Sequence, residues 1–376
     1  MRILLANVQL SGRSGTELYV FDLAIEFTRL GHLPTVYSPH LGPLAAELRE
    51  RAVPVVDDLR HIAERPDVIH GNHNLPTLTA LLAFPETPAV HVCHDCSAWH
   101  DRPVRHPRIL RHLAVDAACR ERLLQMEGVP EQQIEIHQNG VDLKSFVRRD
   151  ALPPAPRSAL LLSNYADDRT LRVLRHALEP QGVRLTAAGR KLGGASSTPA
   201  RLFGCHDLVF AKGRTAWEAM ASGAAVVVCD HASVGELVRR DNVDRLRLWN
   251  FGRRTLQTPL SVAAVQRQLA LYDAADAGAV CDAIRRCSSL ETAALRLLEL
   301  YEVILEEHAS APSSSYVESM AAAETLAWFA KHQRELATEL AQRRTLAGTL
   351  ARWTRSAHRK WNLRRLTSPP SSHRAA

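Results

Sequence analysis

The chain has 376 residues, 46% of them apolar, and a formal net charge of +7. That is enough for two domains with real cores, and no apolar run reaches the length of a membrane-spanning helix. The charge is lopsided: residues 331–376 hold 11 Lys/Arg against 2 Asp/Glu, so residues 1–330 carry −2 and make no electrostatic case for nucleic-acid binding.

In chain order, residues 3–8 read as a first β-strand, too short and too soon polar for a secretory signal. A loop at 9–16 leads into an amphipathic helix over 17–30, stopped by Gly31. Residues 34–38 read as a strand, 43–51 as a helix and 53–56 as a strand. Further strands are expected at 67–70, 89–94, 113–117 and 134–137. Strands alternating with helices indicate βαβ units and a parallel sheet. Residues 144–157, with prolines at 153, 154 and 156, break the alternation. It restarts with a strand at 159–163, a helix at 169–178 and strands at 183–188 and 207–211. A helix at 215–222, a strand at 225–229 and a helix at 234–240 follow. Beyond Ser261 the pattern is wholly helical, and 290–305 is strongly amphipathic.

The expected class is therefore α/β. Two doubly wound domains occupy 1–146 and 159–308, joined by a linker at 147–158. A basic amphipathic helical tail is expected at 316–366, and a disordered end at 367–376. Leu336, Leu340, Leu346, Leu350, Trp353 and Trp361 fall roughly on one face of that tail, among arginines. Such a helix suits an anionic membrane surface or a partner; it also suits packing back across the domains with its arginines in water. The odd number of cysteines, seven, and their scatter among apolar segments point to reduced thiols and a cytoplasmic setting.

The stretch 209–230, VFAKGRTAWEAMASGAAVVVCD, combines a strand, a Gly turn, a helix with one glutamate, a second Gly turn and another strand. It places a helix N-terminus beside Lys212 and Arg214, with Glu218 one turn further in. That site suits a diphosphate and a hydroxyl-rich sugar or ribose. The loop after the first strand, Ser11-Gly12-Arg13-Ser14-Gly15-Thr16-Glu17, also lets backbone approach a phosphate. It lacks the dinucleotide-binding glycine spacing, and no acidic residue ends the second strand.

Asn139-Gly140-Val141-Asp142-Leu143, followed by Phe146 at the junction of the halves, resembles the retaining nucleotide-sugar glycosyltransferases of family 4, which have the GT-B fold. Arg120-Glu121-Arg122-Leu123-Leu124 with Gly128-Val129-Pro130, the Gly12–Glu17 loop, Asp67-Val68-Ile69-His70 and Glu218-Ala219-Met220-Ala221-Ser222-Gly223 resemble the same family, in order, over roughly 1–305. The resemblance implies two Rossmann-like domains facing a central cleft, with the nucleotide-sugar on the C-terminal side and the acceptor on the N-terminal side. Glu218 matches a glutamate that binds the ribose, Gly213 a glycine at the diphosphate, Gly15 a glycine near the donor phosphates, and His94 a histidine near the transferred sugar.

There are two departures. Phe210 stands where the family keeps its first glutamate, and the usual Gly-Arg and lysine after the first strand of the second domain are replaced by Ser163-Asn164-Tyr165 leading to Arg169. The expected site is then His94 and Glu218 for catalysis, with Gly12, Gly15, Thr16, Asn164, Arg169, Lys212, Gly213, Arg214, Thr215 and Glu218 around the donor. The implied activity moves a sugar from a nucleotide-diphosphate donor to a hydroxyl of a glycan, lipid-linked or small-molecule acceptor, in polysaccharide or glycoconjugate synthesis. It needs no cofactor and no metal, and the tail would hold the protein at a membrane surface. A catalytically inactive GT-B-like binding or scaffold protein and a sugar-nucleotide epimerase or hydrolase remain open. Cys93-His94-Asp95-Cys96 with His100, and His70 with His73, supply metal-ligand types, but a single C-x-x-C lacks the spacing of a zinc site. The aromatic loop Leu248-Trp249-Asn250-Phe251-Gly252 suits lining the cleft or, the favoured reading, packing.

Overall fold

The structure, a computed structural model, describes residues 1–125, 129–189, 192, 199–335 and 337–338. It forms two compact units, Met1–Ser314 and Ser315–Ala376. In the second unit residues 315–335 are helical. Most of the expected tail lies outside the described residues, including Leu336, Leu340, Leu346, Leu350, Trp353 and Trp361, as do the expected disordered end at 367–376 and Gly128.

The first unit holds two doubly wound lobes. In the first, β1 (Arg2–Ala6), β2 (Leu33–Tyr37), β3 (Val55–Val56), β4 (Val68–Asn72), β5 (Ala89–Cys93), β6 (Ile109–Ala114) and β7 (Ile134–Ile136) alternate with α1 (Gly15–Arg29), α2 (Pro43–Glu50), α3 (Asn74–Ala83) and α4 (Ala117–Leu124). The sheet order is β3-β2-β1-β4-β5-β6-β7, parallel throughout. Helices cover both faces of such a sheet, so β4 and β5 are buried along their whole length and read as unbroken apolar or neutral runs. The strand expected at 113–117 ends earlier, because Asp116 caps α4 by accepting the amide of Cys119 at 2.8 Å.

The second lobe has β8 (Ser158–Leu162), α5 (Asp168–Leu178), β9 (Arg184–Ala188), α6 (Pro199–Cys205), β10 (Leu208–Ala211), α7 (Arg214–Ala221), β11 (Ala225–Cys229), β12 (Ser233–Leu237), α8 (Val243–Leu248), β13 (Thr258–Pro259), α9 (Val262–Leu269) and α10 (Ala274–Cys287). Its sheet order is β13-β12-β11-β10-β8-β9. The helix expected at 234–240 is instead strand β12, antiparallel to β11. Val234 and Leu237 are three apart, as on a helix face, yet both enter the same core. A β-bulge explains this: Val234 pairs with Cys229 and Leu237 with Val227, so Gly235 and Glu236 on one strand oppose Val228 alone on the other. Gly235 allows the close passage, since a Cβ there would lie 2.4 Å from the Thr255 carbonyl oxygen.

The last helix of the unit, α11 (Leu290–Ser310), falls within the range expected for the second domain but packs on the first lobe. Leu297, Tyr301 and Ile304 join Leu23 and Phe27 of α1 in one core. The chain therefore crosses between lobes twice, and the two passes touch. The Val141 amide donates to the Ser288 carbonyl at 2.7 Å, and the Leu290 amide to the Val141 carbonyl at 2.9 Å. Segment 147–158 is pinned to the second lobe, where Arg149 bonds Asp207 at 2.9 Å and the amide of Arg157 reaches the same carboxylate at 2.9 Å.

Gly140 sits where the passes meet. A Cβ there would lie 2.5 Å from the Leu290 Cα and 3.0 Å from its nitrogen, and backbone cannot move aside as a side chain can. Gly140→Ala is expected to cost about 1–3 kcal/mol of stability, read as a lowered urea midpoint. An unchanged midpoint would mean that the passes separate freely.

Candidate functional site

In open α/β sheets, ligands lie beyond the carboxyl ends of the strands. At that edge of the second lobe, β10 ends at Ala211 and the chain turns through Lys212 and Gly213 into α7. Gly213 has φ 56° and ψ −139°, a conformation that effectively requires glycine. Its amide donates to the Phe251 carbonyl at 3.0 Å. The Ala216 and Trp217 amides turn back on the Gly213 carbonyl at 2.9 and 3.3 Å, so the Arg214 and Thr215 amides form the mouth of the helix. The aromatic loop supports this turn from below: Phe251 is fully buried, its ring meets Trp217 edge to face at 5.0 Å, and Trp217 Nε1 donates to Asn250 Oδ1 at 2.6 Å. Phe251 and Asn250 thus pack, while Leu248 of the same loop is exposed.

Glu218 lies on α7 and is 6% exposed. Its partner is Arg214, whose Nε donates to Glu218 Oε1 at 2.6 Å, while Arg214 Nη2 bonds Asp22 of α1 on the other lobe. Burial pushes the Glu218 carboxyl above its usual range, and Arg214 opposes the shift. Burial would lower the Arg214 pKa, but the Asp22 and Glu218 carboxylates outweigh it and raise it. Lys212 Nζ lies 3.2 Å from Asp230 Oδ2 at the end of β11 and 5.6 Å from the Tyr165 ring centroid. The two cations expected to meet a diphosphate are thus each paired with carboxylates. Arg214 is the more buried of the two and needs its counter-charge, so it would exchange partners to hold an anion, while the partly exposed Lys212 can turn from Asp230 more freely.

At the facing edge of the first lobe, the Gly12–Gly15 loop is partly filled by its own helix. Glu17, 1% exposed, accepts the Gly12 amide at 2.7 Å and the Ser14 amide at 2.8 Å. A buried carboxylate takes the donors that a phosphate would use. Gly12 is therefore occupied, whereas Gly15 and Thr16 open α1 at N1 and N2, and a Cβ at Gly15 would meet nothing within 4 Å. His94 follows β5. Its Nε2 lies 2.7 Å from Asn72 Oδ1, and Asn72 Nδ2 donates to the Ala6 carbonyl at 3.2 Å. That second bond orients the amide, so Oδ1 accepts and the His94 proton sits on Nε2, leaving Nδ1 an acceptor. Burial, with His70 and His100 nearby, holds the His94 pKa down to about 3, so the ring is neutral.

Asn164 and Arg169 are exposed, the first beyond β8 and the second in the first turn of α5. Phe210 is fully buried inside β10, in register with Leu161 and Val227, and faces the core. The Phe210 ring lies in the core and not in the cleft. The fold brings in residues to which the sequence assigned no role: Asp22 on α1, Asn72 at the end of β4 and Asp230 just after β11. Asp230 ends an apolar strand, a signal that could have found it; Asp22 meets Arg214 across 192 positions and leaves no local trace.

Residues 13–145 match the family model Glycosyltransferase Family 4. No curated protein sequence matches the chain. Solved structures do share its fold. The glycosyltransferase from Rickettsia africae ESF-5 superposes with a TM-score of 0.60 at 16% identity, covering 81% of this chain and 98% of that one. Alr3699/HepE from Anabaena, in complex with UDP-glucose, gives 0.58 at 17% identity over 81% of this chain and 100% of that one. AviGT4, a glycosyltransferase involved in avilamycin A biosynthesis, gives 0.50 at 18% identity over 81% and 98%. The chain thus matches the Glycosyltransferase Family 4 model over residues 13–145 and has the two-lobed GT-B fold of these structures.

Proposed function

We propose that the protein transfers a sugar from a nucleotide-diphosphate donor to an acceptor hydroxyl. The observation that carries this reading is Glu218, buried one turn inside a glycine-capped helix whose mouth opens at the strand ends of the second lobe. A carboxylate there can accept bonds from two vicinal ribose hydroxyls, and the Arg214 and Thr215 amides can meet the diphosphate. Arg214, released from Glu218, and Lys212, released from Asp230, would offset the leaving charge, with no metal at the diphosphate. Neutral His94, with Nδ1 as acceptor, would orient an acceptor or sugar hydroxyl on the first lobe. UDP and UDP-glucose in the Anabaena structures support a nucleotide-sugar donor. The basic tail at 316–366 is assigned to an anionic membrane surface, on its charge alone.

Calorimetry against UDP-, GDP- and ADP-sugars tests the donor site. One of them is expected to bind, and Glu218→Ala to weaken it about tenfold or more, with thermal melts run alongside to show that the variant is folded. If none binds, or if folded Glu218→Ala binds equally well, the reading fails. The sealed position of Phe210 favours one second reading, a binding protein that has lost turnover. Transfer of radiolabelled sugar would exclude it.

A further inference from the structure

The fold brings His73 against two neighbouring groups from a later segment of the chain. His73 follows β4 and opens α3, while His100 and Asp101 lie in the short turn Trp99–Asp101 after β5. The His73 and His100 rings meet edge to face with centroids 4.8 Å apart. One ligand atom from each of His73, His100 and Asp101 lies within 4.8 Å of the other two. His73 and Asp101 are each 1% exposed.

The hydrogen bonds around them are incomplete in a particular way. Asp101 Oδ1 accepts the His94 amide at 2.8 Å, which turns Oδ2 toward His100 Nε2, 3.4 Å away. Oδ2 is buried and has no hydrogen-bond partner. A buried carboxylate oxygen without a donor is costly. The Val8 amide lies 3.4 Å from His73 Nδ1, a long contact that the ring gives up when its proton sits on Nδ1, and in that tautomer Nε2 offers a lone pair. A cation placed among these groups would satisfy Asp101 Oδ2 and could take one lone pair from each imidazole.

We propose that His73, His100 and Asp101 bind a zinc ion on the acceptor side of the cleft. Two imidazoles and a carboxylate suit zinc, and three protein ligands leave a fourth position for water or an acceptor oxygen. Zinc holds nitrogen and oxygen at about 2.0–2.2 Å, so the donors must draw in to roughly 3.3 Å from one another. His100 is half-exposed on a short turn and can make that move. The His94 amide already orients the carboxylate, as outer hydrogen bonds do in metal sites. His94 itself lies beside the site, its ring centroid 6.0 Å from that of His73. The site is separate from the diphosphate pocket, and its occupancy does not depend on the donor.

The test uses the full chain, stripped with a chelator and titrated with zinc alone against a competing chromophoric chelator. One equivalent is expected to bind, with affinity falling at least a hundredfold in Asp101→Asn, which keeps an acceptor for the His94 amide. His100→Asn, at the half-exposed ligand, should weaken binding similarly and guards against a misfolded Asp101 variant. Cobalt substitution should give the visible bands of a nitrogen–oxygen site and no thiolate charge-transfer band. The proposal is overturned if the native chain takes up no stoichiometric zinc, if both variants bind as tightly as the native chain, or if cobalt reports cysteine ligation.

Discussion

Acidification to between about pH 5 and 4 is expected to unfold the first lobe, and the cause is a set of buried neutral histidines. His70, His91 and His112 are at most 3% exposed. Burial pushes His70 down to about 3 and His112 to about 4, and His91 well below its ordinary value. An unfolded histidine titrates near 6.5. Below that pH the unfolded chain takes up protons that the native chain refuses, so stability that is complete above 6.5 is lost as the pH falls. Each group costs about 1.4 kcal/mol per pH unit, so three cost roughly 4. Two units of acid then remove about 8 kcal/mol, against a typical total of 5–15. Circular dichroism and fluorescence across pH 8 to 4 check this. His91→Leu sharpens the test, because neither ring nitrogen of His91 has a hydrogen-bond partner. Leucine removes two unpaired polar atoms and one acid-sensitive group, so the variant should melt higher at pH 5. A stability profile flat from pH 7 to 4.5 would contradict the account.

Removing Arg214 should be the most damaging single change at the donor site. Its guanidinium holds Asp22 on one lobe and Glu218 on the other, with side-chain exposures of 17% and 8% for the carboxylates. Arg214→Met leaves both without a counter-charge, a loss of about 3–5 kcal/mol. The sign of its pH dependence follows from Glu218, whose carboxyl burial already pushes upward. Without Arg214 that shift grows, so Glu218 takes a proton more readily, and the difference between variant and native chain narrows as the pH falls from 8 toward 6. Urea unfolding of both proteins across that range measures it. A difference below about 1 kcal/mol, or one that ignores pH, would mean that the pair is loosely held.

Much of this fold was legible because each strand is a short apolar run bounded by a turn. β1 and β11 are plain in RILLA and AVVVC. β12 was misread because its bulge turns a strand's two-residue period into a helix's three. The partner of α11 was hidden for a different reason: an amphipathic stripe shows that a face is buried, not which core receives it. At the site, Gly213 and Glu218 could be found because a glycine turn before a helix is a local feature. The pairing of Arg214 with Asp22, and of Glu17 with the loop it was expected to leave open, could not. Such contacts depend on where the fold places distant carboxylates, and both change the charge that a ligand would meet.

The paired crossings at Val141 and Ser288–Leu290 set the mechanics of the cleft. One strand of chain between lobes would act as a swivel, free to twist and bend. Two strands laced by backbone hydrogen bonds resist torsion and shear, and they leave bending across their common line as the soft motion. The cleft can therefore open and shut like a book on its spine, and the strand ends on the two pages meet in one fixed alignment each time.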